Sequence, residues 1–253
     1  MLFKNLRAGK GVSVEMKAGG VVAVASLGNA GFRITGRETG IIIDPFFDRM
    51  SRIPEDLLAR TLGPGLKYEV IIITHDHWDH FDAGKTASLA RSRSAVVAGP
   101  RTVTGRLEKL LPASSLVELE PQVPGAGQKC AGLSATVAGT RITAFRTFHS
   151  KAHNSYLVEM EGFRFFNDGD NEDTRPLDVE ALGGLDAVML CPWQGSGWVA
   201  FMEALRYKHW FLMHLDEDEL DQQARGVFFE GLCDRVPGGL VCLRPGESRR
   251  IVG

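Results

Sequence analysis

Apolar residues come in short runs separated by turn residues, and most runs stop at a polar group. "VVAVASLG" (21–28) and "FRITG" (32–36) predict two strands joined by the turn-like "NAG". "TGIIIDP" (39–45) predicts a third, stopped by proline. "EVIIITH" (69–75) is continuously apolar, the pattern of a strand covered on both faces. "AGKTASLARSR" (83–93) predicts a helix, "SAVVAGP" (94–100) a strand, and "RTVTGRLEKLLP" (101–112) another helix. "LSATVAGTRITAFRTFH" (133–149) and "NSYLVEMEGFRFFND" (154–168) alternate as β-hairpins do. A short helix at 177–184, strands at 185–192 and 208–214, an acidic-started helix at 216–232 and a last strand at 238–247 complete the pattern. Two strand-rich halves without a convincing linker predict one α/β domain over 1–253, a β-sandwich with helices outside it.

Composition narrows the classes. The 253 residues are 44% hydrophobic and 24% charged, close to an average globular chain. A chain this long buries on the order of 70–75% of its unfolded surface, so its core needs no staples. A formal net charge of −2 gives no reason to expect a nucleic-acid partner. Cys130, Cys191, Cys233 and Cys242 form no C-x-x-C pair, which fits a reducing, cytoplasmic setting. The first residues show no signal-peptide core, and the longest apolar runs fall short of a membrane span. The expected partner is a small molecule; a homo-oligomer is compatible with all of this. "EPQVPGAGQKCAG" (120–132) stands out as a glycine- and proline-rich loop.

The chemistry concentrates in "THDHWDH" (74–80). Three of the chain's 7 histidines lie there, between positions 75 and 80. Elsewhere, strands end in Asp44, in His149, in Asp168 and Asp170, and in His214. If these ends converge, imidazoles and carboxylates form one site suited to zinc, manganese or iron. Positions two apart in an extended segment point the same way, so His75 and His77 can grip one ion. Asp79 and His80 follow a turn and can face a second. Two ions about 3.5–4 Å apart, bridged by a carboxylate, polarise an ester, lactone or phosphoryl oxygen and generate hydroxide near neutral pH.

H-x-H-x-D-H after an apolar strand resembles the metallo-β-lactamase superfamily. "SLGNAGFRITGRETGIIIDPF" resembles the opening of its L-ascorbate 6-phosphate lactonase-like branch, although Asn29 stands where many members carry a histidine. "HSKAHNSYLVEMEGFRFFNDGDN", "WFLMH" and "CLRPGE" resemble later family motifs, in order. The resemblance implies the four-layer αβ/βα sandwich. It implies His75, His77 and His149 around one metal, Asp79, His80 and His214 around the other, and Asp170 between them. Asp79 and His80 would be catalytic, and Asp44 a buried carboxylate orienting the histidine loop. The implied cofactors are two divalent ions, zinc first, with manganese or iron as alternatives. The implied activity is hydrolysis of a small lactone, ester or phosphoester. The alternatives are a phosphodiesterase of the same fold, which predicts a cationic pocket, and a non-catalytic metal-binding relative.

Other residues compete for roles. Asp168 shares a face with Asp170 and is the other candidate bridge. His153 reads as a solvent or pocket residue and His209 as structural. Lys151, two residues after His149, faces the same way and would hold an anionic substrate beside Asn154 and Ser155. Trp78 and Trp193 are candidate pocket walls, with Trp198 divided between pocket and core.

Overall fold

The structure is a computed structural model that describes residues 20–45, 54–192 and 197–253. Its strands are β1 (Val21–Gly28), β2 (Gly31–Thr35), β3 (Thr39–Ile43), β4 (Tyr68–Ile72), β5 (Val96–Gly99), β6 (Leu116–Glu118), β7 (Gly132–Val137), β8 (Thr140–Thr147), β9 (His153–Met160), β10 (Phe163–Asn167), β11 (Gly184–Leu190), β12 (Arg206–Leu212), β13 (Leu240–Cys242) and β14 (Ser248–Val252). Its helices are α1 (Glu55–Leu62), α2 (Ala83–Arg93), α3 (Arg101–Leu107), α4 (Val179–Leu182), α5 (Trp198–Ala204) and α6 (Glu217–Ala224).

Among the described residues the strands form two seven-stranded sheets, ordered β14-β1-β2-β3-β4-β5-β6 and β13-β12-β11-β10-β9-β8-β7. Each is antiparallel at one end and parallel at the other: β3 to β6 run parallel in the first sheet, β10 to β13 in the second. Strand parity builds the layers. Ile41, Ile43, Val70 and Ile72 point between the sheets, onto Tyr156, Val158, Phe165, Met189 and Phe211. Ile42, Ile71 and Ile73 point the other way, onto Ala87 and Leu107 of α2 and α3. This two-faced burial explains the unbroken apolar run at 70–73. Phe166, Val188, Leu190, Trp210 and Leu212 form the outer face of the second sheet and pack on Leu182 and Phe201 of α4 and α5. The result is the expected four-layer αβ/βα sandwich.

Several boundaries differ from the sequence reading. The helix expected over 101–112 stops at Leu107, and the one expected over 216–232 stops at Ala224, before Gly226 at φ 76°. The strand expected over 238–247 holds only the short β13, which pairs with β12; beyond that range an unanticipated strand, β14, crosses back to pair with β1, Val21 opposite Val252. β14 buries only Ile251, which is why no alternating pattern announced it. Helices α1 and α5 were not anticipated. Among the described residues no helix is long and apolar enough to cross a membrane.

The first sheet holds a buried ion pair under β4. Arg33 grips Glu69 through two bonds of 2.5 and 2.7 Å, and Arg93 joins them from α2 at 3.3 Å. A Cβ at position 40 would lie 2.3 Å from the Arg33 guanidinium, so β3 needs a glycine there.

Candidate metal centre

The two sheets meet along one edge, and the polar strand ends gather there. The meeting is stitched by backbone: Asn154 N donates to Thr74 O at 3.0 Å, and His214 N to Asn29 O at 3.0 Å. The Tyr156 hydroxyl donates to Ile73 O at 3.0 Å.

Asp44 follows β3 and is 1% exposed, with φ at 39°. Its Oδ1 accepts from Thr74 N at 2.7 Å and its Oδ2 from the Thr74 hydroxyl at 2.6 Å. His80 Nδ1 lies 2.9 Å from the same Oδ2. The ionised carboxylate can only accept, so His80 carries a proton on Nδ1, which leaves Nε2 as the nitrogen it can offer to an ion. Thr74, whose proton is committed to Asp44, lies 2.9 Å from His75 Nδ1, so that nitrogen donates too and His75 presents a bare Nε2. One carboxylate thus sets the tautomer of two histidines.

A second carboxylate does the same for His149, which follows β8. Its Nδ1 lies 2.8 Å from Glu172 Oε1. The bare Nε2 atoms of His75 and His149 then converge on Nδ1 of His77, at 2.9 and 3.1 Å. A single proton on His77 can serve one of them at a time. A cation held between the three nitrogens would satisfy them all at once.

The other half is carboxylate-rich. Asp170 Oδ2 lies 3.2 Å from His80 Nε2, 3.4 Å from His214 Nε2 and 3.8 Å from His75 Nε2. Asp79 Oδ2 lies 3.6 Å from both His80 Nε2 and His214 Nε2, and Asn29 Nδ2 donates to it at 3.3 Å. Asn29, at the position where the sequence departs from many family members, therefore holds Asp79 in place. Asp170 is aimed from below: its N–H donates to His153 Nε2 at 3.0 Å, and His153 Nδ1 lies 2.8 Å from the Thr147 hydroxyl. Gly169 at φ 55° makes the turn, and a Cβ there would lie 2.4 Å from His153 Nε2.

Two sets of donors result. One atom each from His75, His77, His149 and Asp170 lie within 4.8 Å of one another, as do those from Asp79, His80, Asp170 and His214. The site calls for cations. Burial works against charge on His80, yet Asp44 and Asp170 raise its pKa well above the ordinary value. Burial also opposes charge on His214, but bonds to Asp170 and Asp79 lift it to about 9. Burial would raise the Asp170 carboxyl, but His80 and His214 hold it far below the usual carboxylate range. On the imidazole-rich side, burial first and then the neighbouring His80 and His153 keep His75 neutral. Nε2 of His80 and Oδ1 of Asp170 are buried without a hydrogen-bond partner. A metal ion in each set would satisfy these atoms, so the residues fit the implied group.

The structure brings together Asp44, His75, His77, Asp79, His80, His149, Asp170 and His214. It separates others. Asp168 is not at the junction: its carboxylate accepts from Ser155 Oγ at 2.9 Å and Asn171 Nδ2 at 3.1 Å, and burial raises its pKa to about 7. His153, expected in solvent or a pocket, is fully buried behind Asp170. Asn154, expected at the substrate, is also fully buried, because β9 turns it between the sheets where Nδ2 donates to Leu119 O. Lys151 does lie at the rim, 3.6 Å from Asp76 and half-exposed, and Trp78 is 69% exposed beside the histidine loop. Trp193 lies outside the described residues. Trp198 packs on Trp210, with ring centroids 5.6 Å apart, on the core side. The sequence reading missed Glu172 and the supporting part of His153. Glu172 follows the "NDGDN" turn, and a carboxylate two residues past the expected bridge was the available signal.

Histidine- and aspartate-tipped strands meeting at one edge of an αβ/βα sandwich define a metallo-β-lactamase-fold protein. The chain belongs to that superfamily: the family model described as "Beta-lactamase superfamily domain" matches residues 23–210. It is 29% identical over 235 residues to a UPF0173 metal-dependent hydrolase of Nitratidesulfovibrio vulgaris, across 87% of this chain and 92% of that protein. Igni18, a metallo hydrolase of Ignicoccus hospitalis, superposes with a TM-score of 0.67 at 16% identity, covering 91% of this chain and 98% of its own. CmlA, a diiron β-hydroxylase of Streptomyces venezuelae, superposes at 0.61 with 14% identity, covering 93% of this chain and 54% of its own. These two structural likenesses establish the fold alone.

Proposed function

We propose that the protein is a metal-dependent hydrolase with two divalent ions, zinc foremost and manganese or iron as alternatives. His75, His77 and His149 would hold one ion, Asp79, His80 and His214 the other, and Asp170 would join them. The observation that carries the reading is the pair of histidine and aspartate donor sets, sharing Asp170, in each of which one atom per residue lies within 4.8 Å of the others. Bound there, such ions supply Lewis acidity towards a carbonyl or phosphoryl oxygen and make water acidic near neutral pH. The protein's own part is positional. Asp79, steadied by Asn29, is placed to accept the proton of an attacking water. Asp44 and Glu172 keep the histidine lone pairs turned inward. Lys151 would hold an anionic group of the substrate at the rim, and Trp78 would offer an apolar wall.

A carboxylic ester or lactone is the favoured substrate class, in keeping with the lactonase-like opening motif. The phosphodiesterase alternative predicts uncommitted cations near the site. Of those beside His149, Arg146 is engaged with Glu120, Arg175 with Asp173 and Lys129 with the carbonyls of Arg175 and Leu177, which leaves Lys151, among the described residues, as the one cation held only at 3.6 Å by Asp76. The cysteine pattern supports a reducing, cytoplasmic setting. Elemental analysis of chelator-free protein, with add-back, is expected to give up to two transition-metal ions per chain. Less than one ion in both would overturn the reading. A screen of lactones, esters and phosphodiesters on the loaded protein then tests the substrate class.

A further inference from the structure

A cavity of about 840 Å³ opens beside His149, between the 123–130 loop and the end of β8. That lies in the upper part of the roughly 300–1,000 Å³ range of ligand clefts, larger than a compact lactone needs. Its walls carry Val123 and Phe148, which are 77% and 63% exposed. Large apolar side chains left in solvent together, facing one cavity, mark a surface that a ligand covers. Of the other cations around it, Arg146 and Arg175 are neutralised by carboxylates, and Lys129 is committed to the carbonyls of Arg175 and Leu177. Lys151 differs. It is half-exposed, holds Asp76 only loosely at 3.6 Å, and lies at the end nearest the histidines. The wall is tied down at one end: Cys130 N donates to Pro176 O at 2.9 Å, and Cys130 Sγ to Arg146 O at 3.1 Å.

We infer that this cavity seats the non-reacting part of the substrate, and that the substrate is an amphipathic anion. A bulky apolar body would lie between Val123 and Phe148, and its anionic group at the Lys151 end. The inference rests on the hydrolase reading above and extends it from a small polar substrate to a large, mostly apolar one.

Straight-chain carboxylates from acetate to decanoate are suitable probes, titrated calorimetrically into the zinc-loaded full chain. Each methylene buried in an apolar cavity raises affinity by up to about fourfold. The expected result is a rise of about two- to fourfold per methylene over the series. Phe148→Ser and Val123→Asp, both exposed positions, should flatten that slope without changing melting or bound metal. Lys151→Met should weaken every member by a similar factor and keep the slope. A flat series in the wild type overturns the inference, as does a slope that both wall variants leave intact. The two readings fail separately. A chain-length slope in a protein that hydrolyses no lactone or ester keeps the cavity assignment and removes the hydrolase. Turnover of short lactones with a flat series does the reverse.

Discussion

Asp44→Asn changes one atom and should cost the protein much of its metal affinity. The carboxylate takes three hydrogen bonds, two from Thr74 and one from His80. An asparagine tolerates the positive φ of 39° and can still accept from Thr74 N. Its amide N–H₂ then occupies the place of Oδ2 and donates towards His80 Nδ1. That nitrogen becomes an acceptor, the proton moves to Nε2, and His80 can no longer offer a lone pair to an ion. Thr74 must now accept from the amide, which frees its hydroxyl to donate to His75 and invites the same reversal there. Disturbing such an orienting partner costs about 10–100-fold in metal affinity. Losing a hydrogen bond to a charged group costs about 1.5–3 kcal/mol, and for a chain of this size each kcal/mol moves Tm by about 2–4 °C. The metal-free variant should therefore melt roughly 3–12 °C lower. Zinc titration of chelator-stripped protein reads the affinity, and histidine ¹⁵N shifts read the tautomer. Unchanged zinc affinity, with His80 still protonated on Nδ1, would refute the tautomer argument.

Asp79→Ala should behave differently: the carboxylate supports no backbone group in a partner strand, so activity should fall by at least a hundredfold while the cooperative melt is kept, and equal melting losses for Asp79→Ala and Asp44→Ala would contradict this division. Gly169→Ala should be destabilised by more than about 3 kcal/mol, the sum of left-handed strain and a steric clash with His153, and should lose metal stoichiometry as Asp170 shifts; denaturant melts and metal counts check it, and a loss under about 1 kcal/mol would show that His153 yields freely. Glu161, at the tip of the β9–β10 hairpin, accepts from the backbone N–H groups of Arg37, Glu38 and Thr39. Burial pushes its pKa up, but those three bonds outweigh it and leave the pKa lowered, so its stabilisation is present above the ordinary glutamate value and is lost as pH falls through the lower folded one. Glu161→Gln should then cost about 1 kcal/mol at pH 7, and the gap from wild type should close below roughly pH 4 in melts at graded pH; a gap independent of pH would reject the assignment.

The first-sheet half of the site was legible because chemistry and chain order coincide there: β4 is a continuous apolar run and its histidines follow within a few residues. The second-sheet half needed the superfamily resemblance, because His149, Asp170 and His214 are far apart in sequence and each alone reads as an ordinary polar strand end. The reading failed where parity decided. Asn154 was placed at the substrate as though 149–154 stayed extended, but β9 begins at His153 and its register turns Asn154 into the layer between the sheets. His153 failed for the same reason. Glu172 was missed because its pairing with His149 spans 23 residues, and its nearness to Asp170 in sequence is a weak local signal. The cavity wall at 123–130 was recognised only as a glycine- and proline-rich loop, since apolar exposure is a property of the folded surface.

The return of β14 to β1 has a bearing on how the chain is made. Residues 21–118 can assemble six strands of the first sheet, and residues 132–242 all seven of the second, as each emerges from the ribosome. Among the described residues, the outer edge of β1 stays unpaired until β14 is translated. During that interval β1 offers nascent chains an open template for intermolecular pairing, and the arginines of β14 arrive to cover it with charge. Arrival of β14, rather than formation of either core, is then the step that closes the window for aggregation.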